Sequence, residues 1–286
     1  VHPFTLPELP RGKRALKHIE TYYETFEDIK KEGLDALIIT GANVTHSNLS
    51  NEDFWEPLSE VIDWAEENVA STLCSCLATH AVLELKHKQK RRPLGYKRWG
   101  VFTHHVVKQH PLVNRINTEF NVPHSRFNQI DKEQFEAANL PVLVEGTDVG
   151  VHLAVSEDGI RTVYFQGHPE YDAISLIKEY KREVFRYISG DLETYPPFPC
   201  DYFDDYTQAI LNEHKDRVVD ARTNDNKMPE FPEALILPKI HNTWHDTAAA
   251  IMANWMGLTY KITHHDRKKS LMDGLDPKDP LGLKNK

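Results

Sequence analysis

Residues 69–88, VASTLCSCLATHAVLELKHK, carry two structural periods back to back. The first seven are β-prone and largely apolar, and read as a strand buried on both faces. From Leu77 the apolar positions recur at helical spacing, and a helix is predicted over 77–88. Cys76 stands at the turn between the two elements, and Cys74 lies two residues earlier inside the strand. A cysteine just ahead of a helix N-terminus feels the positive end of the dipole, which favours thiolate. Cys74 would point into packing as a small hydrophobe. One stretch therefore predicts a strand–helix unit and a candidate nucleophile, Cys76.

The neighbouring segments extend the pattern. Residues 10–32 read as one helix stopped by Gly33. DALIITG (35–41) reads as a parallel strand, and FWEPLSEVIDWAEENV (54–69) as a helix with Pro57 in its first turn. Strand and helix alternate, which predicts an α/β fold with a parallel sheet covered on both faces. RWGVFTHHVV (98–107) opens a less regular stretch. LPVLVEG (140–146), VHLAVS (151–156) and IRTVYFQG (160–167) read as strands, the last two joined by the hairpin signal Glu157-Asp158-Gly159. Residues 173–188 read as an amphipathic helix. Residues 200–238 are mixed, with a short helix around Tyr206–Glu213. A final helix is expected over 242–256, capped by Thr243 and stopped by Gly257. The charged tail 267–286, with two prolines, is expected to be mobile. A single domain spanning 1–286 is the predicted organisation.

Composition narrows the function. The hydrophobic fraction of 40% and charged fraction of 27% suit a globular chain. No apolar run approaches the roughly 20 residues that cross a membrane, and no membrane partner is expected. A net charge of −9 argues against general nucleic-acid binding. The basic run KHKQKRRPLGYKR (86–98) opposes that balance. It reads either as a solvated helix end or as a dock for an anionic ligand such as a phosphorylated cofactor. Three cysteines point to a reducing compartment, here taken as the cytoplasm. The scattered histidines lack zinc spacing, so no metal is expected.

In open parallel sheets, ligands gather at the carboxyl ends of the strands. Cys76, Gly41 and the GHPE motif (167–170) all fall there. His168 follows a strand end and can serve as base. Glu170, two residues on, can orient it across the stiff Pro169. Cysteine, histidine and carboxylate together match the general triad logic of nucleophilic catalysis.

GLDALIITGA, FWEPLSEVIDWAEENVASTLCSC, KRWGVFTHHV, PHSRF, FQGHPEYDA and NTWHDTAAAIMANWMGLTYKIT resemble, in order and spacing, the homoserine O-succinyltransferases and their acetyl-transferring relatives. The resemblance covers about residues 10–195 and 240–266. It implies a flavodoxin-like three-layer sheet of the class I glutamine amidotransferase kind, with the triad on Cys76, His168 and Glu170. It also implies an active-site lysine at Lys97 and an amino-acid pocket lined by Ser125 and Arg126. Glu179 and Arg182 would grip the homoserine head group, an ammonium and a carboxylate being suited to those charges. The acyl-selecting position falls on Thr45, where relatives carry glycine for succinyl or glutamate for acetyl. A neutral residue there would not repel the free succinyl carboxylate.

Three features depart from the family pattern. Leu77 follows the nucleophile where many relatives have tryptophan. A first strand and a lysine-bearing loop are not found after Val1, so upstream residues are expected. The segment 200–238 is expected to be a family-atypical insertion.

The implied reaction is ping-pong succinyl transfer from succinyl-CoA to L-homoserine, with acetyl transfer from acetyl-CoA, to homoserine or serine, as the alternative. Backbone N–H groups of Leu77 and of the Gly41–Asn43 loop, Ala42 foremost, would hold the oxyanion. Acyl-CoA is a co-substrate, and no bound cofactor is implied. Relatives pair as homodimers. Glutamine amide hydrolysis through the same triad, and a non-catalytic binding role, remain open beside it.

Overall fold

The computed structural model describes residues 1–6, 9–42 and 44–284. Its centre is one seven-stranded sheet. In chain order the strands are β1 (Ala36–Ile39), β2 (Ser71–Ser75), β3 (Arg92–Val106), β4 (Glu119–Gln129), β5 (Val142–Gly146), β6 (Gly150–Val155) and β7 (Thr162–Phe165). Their spatial order is β1-β2-β7-β6-β5-β3-β4. The α/β expectation holds, but parallel pairing is confined to β1, β2 and β7. The other four pairings are antiparallel. The reason lies in the connections. Strands joined by a few residues, as β5–β6 and β6–β7 are, can only reverse direction, whereas a parallel pair needs a crossover of a dozen or more.

Helices cover both faces. The helices are α1 (Lys13–Tyr22), α2 (Phe26–Glu32), α3 (Trp55–Asn68), α4 (Leu77–His87), α5 (Lys132–Ala137), α6 (Ser175–Ile188), α7 (Asp205–Thr223), α8 (Glu233–Ile236) and α9 (His245–Ile262). Adjacent strand residues face opposite sides, and β2 shows the result. Cys74 packs with α3, α4 and α5 through Leu58, Ile62, Ala78, Ala81 and Phe135. Leu73 packs on the far side with Ile251, Trp255 and Ile262 of α9. A third core forms where α6 and α7 lay Leu176, Tyr180, Val184 and Leu211 on Trp99 and Val101 of β3.

Several expectations are corrected. The helix over 10–32 is two helices. Tyr23 is extended, Glu24 bridges to Phe4, and the Thr25 hydroxyl accepts from Asp28 N to start α2. The stretch from 98 is not irregular: β3 and β4 form a long antiparallel pair. The short helix near 206–213 is the 19-residue α7, capped by Asp204. Asn242 rather than Thr243 receives the first N–H groups of α9, and Gly257 lies inside that helix. Residues of the stretch after α9 meet the core. Leu271, Leu275 and Leu281 pack against the α9 side of the sheet core, and Met272 N donates to Ile262 O at 2.8 Å.

Candidate active site

The carboxyl ends of β1, β2 and β7 converge on one edge, and the loops that follow them carry the site. Cys76 leaves β2 with φ 52° and ψ −110°, a left-handed conformation at the N-cap of α4. Its N–H is fixed to Phe165 O at the end of β7, at 2.8 Å. This corner turns Cys76 out of the strand, half-buried, while Cys74 stays fully buried. Burial pushes the Cys74 thiol up to about 12, which leaves it inert.

His168 follows β7. Gly167 before it admits no side chain, because a Cβ there would stand 2.7 Å from Val122 and 2.9 Å from the His124 ring. The His168 N–H donates to Pro123 O at 2.8 Å, and its Nδ1 meets Glu170 Oε1 at 2.8 Å. Burial opposes the imidazolium. Against burial, the charge and side-chain hydrogen bonding of Cys76, with Glu170, push His168 up to about 10. Glu170 is held below the usual carboxylate range: burial works against this, and the His168 hydrogen bond and charge win. Ser75 adds a donor the sequence reading missed, its hydroxyl reaching Glu170 Oε1 at 3.1 Å. His168 and Glu170 are thus joined by a hydrogen bond, and the charge and side-chain hydrogen bonding of Cys76 act on His168.

The loop after β1 closes on the same corner. A Cβ placed on Gly41 would lie 3.6 Å from Leu77 N and 3.7 Å from Cys76 Cβ. Gly41 and Leu77 N therefore stand beside Cys76. Asn43, at the end of the expected oxyanion loop, lies outside the described residues. Thr45 is exposed, and its loop is pinned by Glu52, whose carboxylate accepts from Thr45 N at 2.7 Å and His46 N at 2.6 Å.

The expected amino-acid pocket is only partly assembled. Glu179 is its hub, accepting from Lys97 Nζ at 2.8 Å, Ser125 Oγ at 2.7 Å and Tyr171 OH at 2.7 Å. Burial opposes its ionisation, but the Lys97 charge and these donors hold its pKa below the usual range. Lys97 also sits over the Trp99 ring, 4.0 Å from its centroid. Arg182 does not join Glu179. Three helix positions diverge by about 60°, and Arg182, 60% exposed, pairs with Glu183 at 3.2 Å. Ser125 and Arg126 separate because neighbours on a strand face opposite sides. Arg126 is buried and spends its donors on His124 Nδ1, Asn128 O, Gln129 Oε1 and Val149 O. Burial brings it down to about 9.

The basic run 86–98 is largely consumed within the fold. Lys86 pairs with Asp63 and Glu66, Arg92 with Asp131 and Lys97 with Glu179. Neither the solvated helix end nor an anion dock describes the whole run. Among the described residues, one group, His2, Glu24 and Glu32, brings three possible metal donors within 4.8 Å of one another, all at the N-terminal end of the chain.

A family model described as homoserine O-succinyltransferase matches residues 1–265. The chain belongs to that family. It is 61% identical over 284 residues to the homoserine O-succinyltransferase of Allochromatium vinosum, covering 99% of this chain and 80% of that protein. It is 59% identical over 285 residues to that of Nitrosococcus oceani, at the same coverage. The segment 200–238 falls inside these alignments. Among solved structures, a glutamine amidotransferase from Thermotoga maritima overlaps 86% of this chain and 90% of its own, with TM-score 0.44 and 9% identity. One from Methylobacillus flagellatus overlaps 89% and 92%, with TM-score 0.44 and 11% identity.

Proposed function

We propose that the protein is a homoserine O-succinyltransferase of methionine biosynthesis, working by ping-pong transfer through Cys76. The Cys76 thiolate attacks the thioester carbonyl of succinyl-CoA. Leu77 N–H and the Ala42 segment receive the developing oxyanion. The carbon–sulfur bond to CoA breaks, and the departing thiolate takes its proton from the His168 imidazolium. His168, now neutral, accepts the proton of the homoserine side-chain hydroxyl as its oxygen attacks the acyl-enzyme. Cys76 thiolate leaves, and His168 is again charged. Glu170, supported by Ser75, orients the imidazole and stabilises its charged form.

Glu179 suits the substrate ammonium, and Lys97, Ser125 and Tyr171 hold it in place. Arg182 would have to leave Glu183 to meet the substrate carboxylate. Neutral Thr45 leaves room for a free acyl carboxylate, which favours succinyl over acetyl.

The observation that carries the reading is the His168–Glu170 hydrogen bond, with Cys76 acting on His168 from the helix-opening corner. Its test is mass spectrometry of the protein after mixing with succinyl-CoA without homoserine. One acyl group should appear on Cys76 and leave on addition of homoserine, and Cys76→Ala should acquire none. An adduct from glutamine instead would replace this reading with amide hydrolysis.

A further inference from the structure

A succinyl group carried on Cys76 ends in a carboxylate, and a half-buried carboxylate needs a cation with donors to spare. Three cationic groups lie within electrostatic reach of Cys76: Arg91, Arg126 and His168. His168 is engaged with Glu170. Arg126 is engaged on every side, as described above. Lys97 is held between Glu179 and the Trp99 ring.

Arg91 differs. It follows α4, the helix that Cys76 opens. Its Nη2 donates to His46 O and Ser47 O, each at 3.1 Å. Its Nε is buried and has no hydrogen-bond partner among the described residues. Glu52 and Glu84 act on it by charge, yet among the described residues Glu52 pairs with His46 and Glu84 with Lys90. A guanidinium offers five N–H donors in a planar fork that fits a carboxylate edge. One edge of Arg91 is anchored on the backbone of the loop that carries Thr45. That same loop touches the Cys76 corner at Gly41. Gly41 stands beside Cys76, while Thr45 and His46 of the same loop are held by Glu52, and His46 and Ser47 hold Arg91.

We propose that Arg91 receives the free carboxylate of a dicarboxylic acyl donor and, with Thr45, forms the subsite that selects succinyl over acetyl. The inference rests on the acyl-transfer reading above. Glu52 then has a positioning role: by holding Thr45 N and His46 N it fixes the carbonyls on which Arg91 is anchored.

The test supplies succinyl-CoA and acetyl-CoA together, at equal concentration with homoserine, and measures the ratio of the two products. A ratio does not depend on the fraction of enzyme that is folded. Arg91→Gln should lower the succinyl-to-acetyl ratio by about 10- to 100-fold, the scale of a hydrogen bond to a charged group. Arg91→Lys should fall between Arg91→Gln and the wild type. A ratio unchanged within about twofold, or loss of both products together, overturns the Arg91 subsite while leaving the transferase reading intact. A wild-type protein that acylates homoserine from neither donor overturns the transferase reading itself.

Discussion

The Tyr171 ring lies over the His168 imidazole, 4.3 Å away and 19° from parallel, while its hydroxyl donates to Glu179 Oε1 at 2.7 Å. One side chain thus touches both His168, the proposed base, and Glu179, the proposed hub of the amino-acid pocket. Tyr171→Phe keeps the stack and removes only the hydrogen bond. Its expected effect is a KM for homoserine raised by about tenfold or more, with kcat changed far less. Tyr171→Ala should lower kcat as well, because the imidazole loses its support. Steady-state kinetics with homoserine varied separates the two outcomes; equal behaviour of the two variants would contradict the double role.

Gly167 fits only because it has no side chain. Gly167→Ala would press on Val122 and the His124 ring and shift the backbone that carries His168. An overpacked core site costs about 1–3 kcal/mol. The variant should melt lower than the wild type and lose kcat by more than its melting shift accounts for. Unchanged kcat in the folded variant would show that the base tolerates such a displacement.

Among the described residues, six buried histidines are pulled below the ordinary value chiefly by burial, His214 among them. His80 is pulled down to about 3, His104 and His110 to about 4, and His124 and His152 well below the ordinary value. Above pH 6.5 these rings are neutral in both the folded and unfolded states and give stability no slope. As pH falls below 6.5, the unfolded chain binds protons that the fold refuses, so stability is lost progressively toward pH 4. At pH 5 each ring costs at most about 2 kcal/mol. His168, raised to about 10, has the opposite sign. Its contribution is complete below 6.5 and lost as pH rises through 10, so it does not offset the acid loss. Melting curves at pH 7.5, 6 and 5 should show a steep decline. His152, with neither ring nitrogen partnered among the described residues, is the place to reduce it: His152→Leu should narrow the drop between pH 7.5 and 5.

Asp131 ties the β3–β4 pair to the helix that follows. It makes a capping box with Gln134 at the start of α5 and takes Arg92 Nε at 2.7 Å and Nη2 at 2.9 Å. Asp131→Ala should cost about 1–2 kcal/mol, mostly from the lost cap because the arginine is exposed. Urea titration measures it, and a loss below about 0.3 kcal/mol would mean that water replaces the cap.

The sequence made the strand–helix units legible where apolar runs were short and bounded, as at 35–41, 69–88 and 160–167. The triad positions followed from strand ends and a helix start, which depend on local pattern alone. The β3–β4 pair was hidden because its inward positions include His104, His124 and Arg126, polar side chains that satisfy one another across the two strands. No single-strand pattern displays that compensation. The partners that Arg126 and Arg182 take in the fold were hidden for a related reason. Spacing gives the stripe of a helix or the face of a strand, but not which neighbour is already using the side chain. Ser75 and Tyr171 were missed because their importance exists only through Glu170, His168 and Glu179, which are distant from them or reached by a fold in the chain.

Cys76 holds a backbone conformation in which an L side chain is strained, at a cost of order 1–3 kcal/mol, and glycine alone would adopt it comfortably. Cys76→Gly should therefore melt at a higher temperature than the wild type while transferring nothing. A protein that keeps sulfur at this corner gives up ease of folding in exchange for a reagent, and its thermal tolerance is set in part by that one residue.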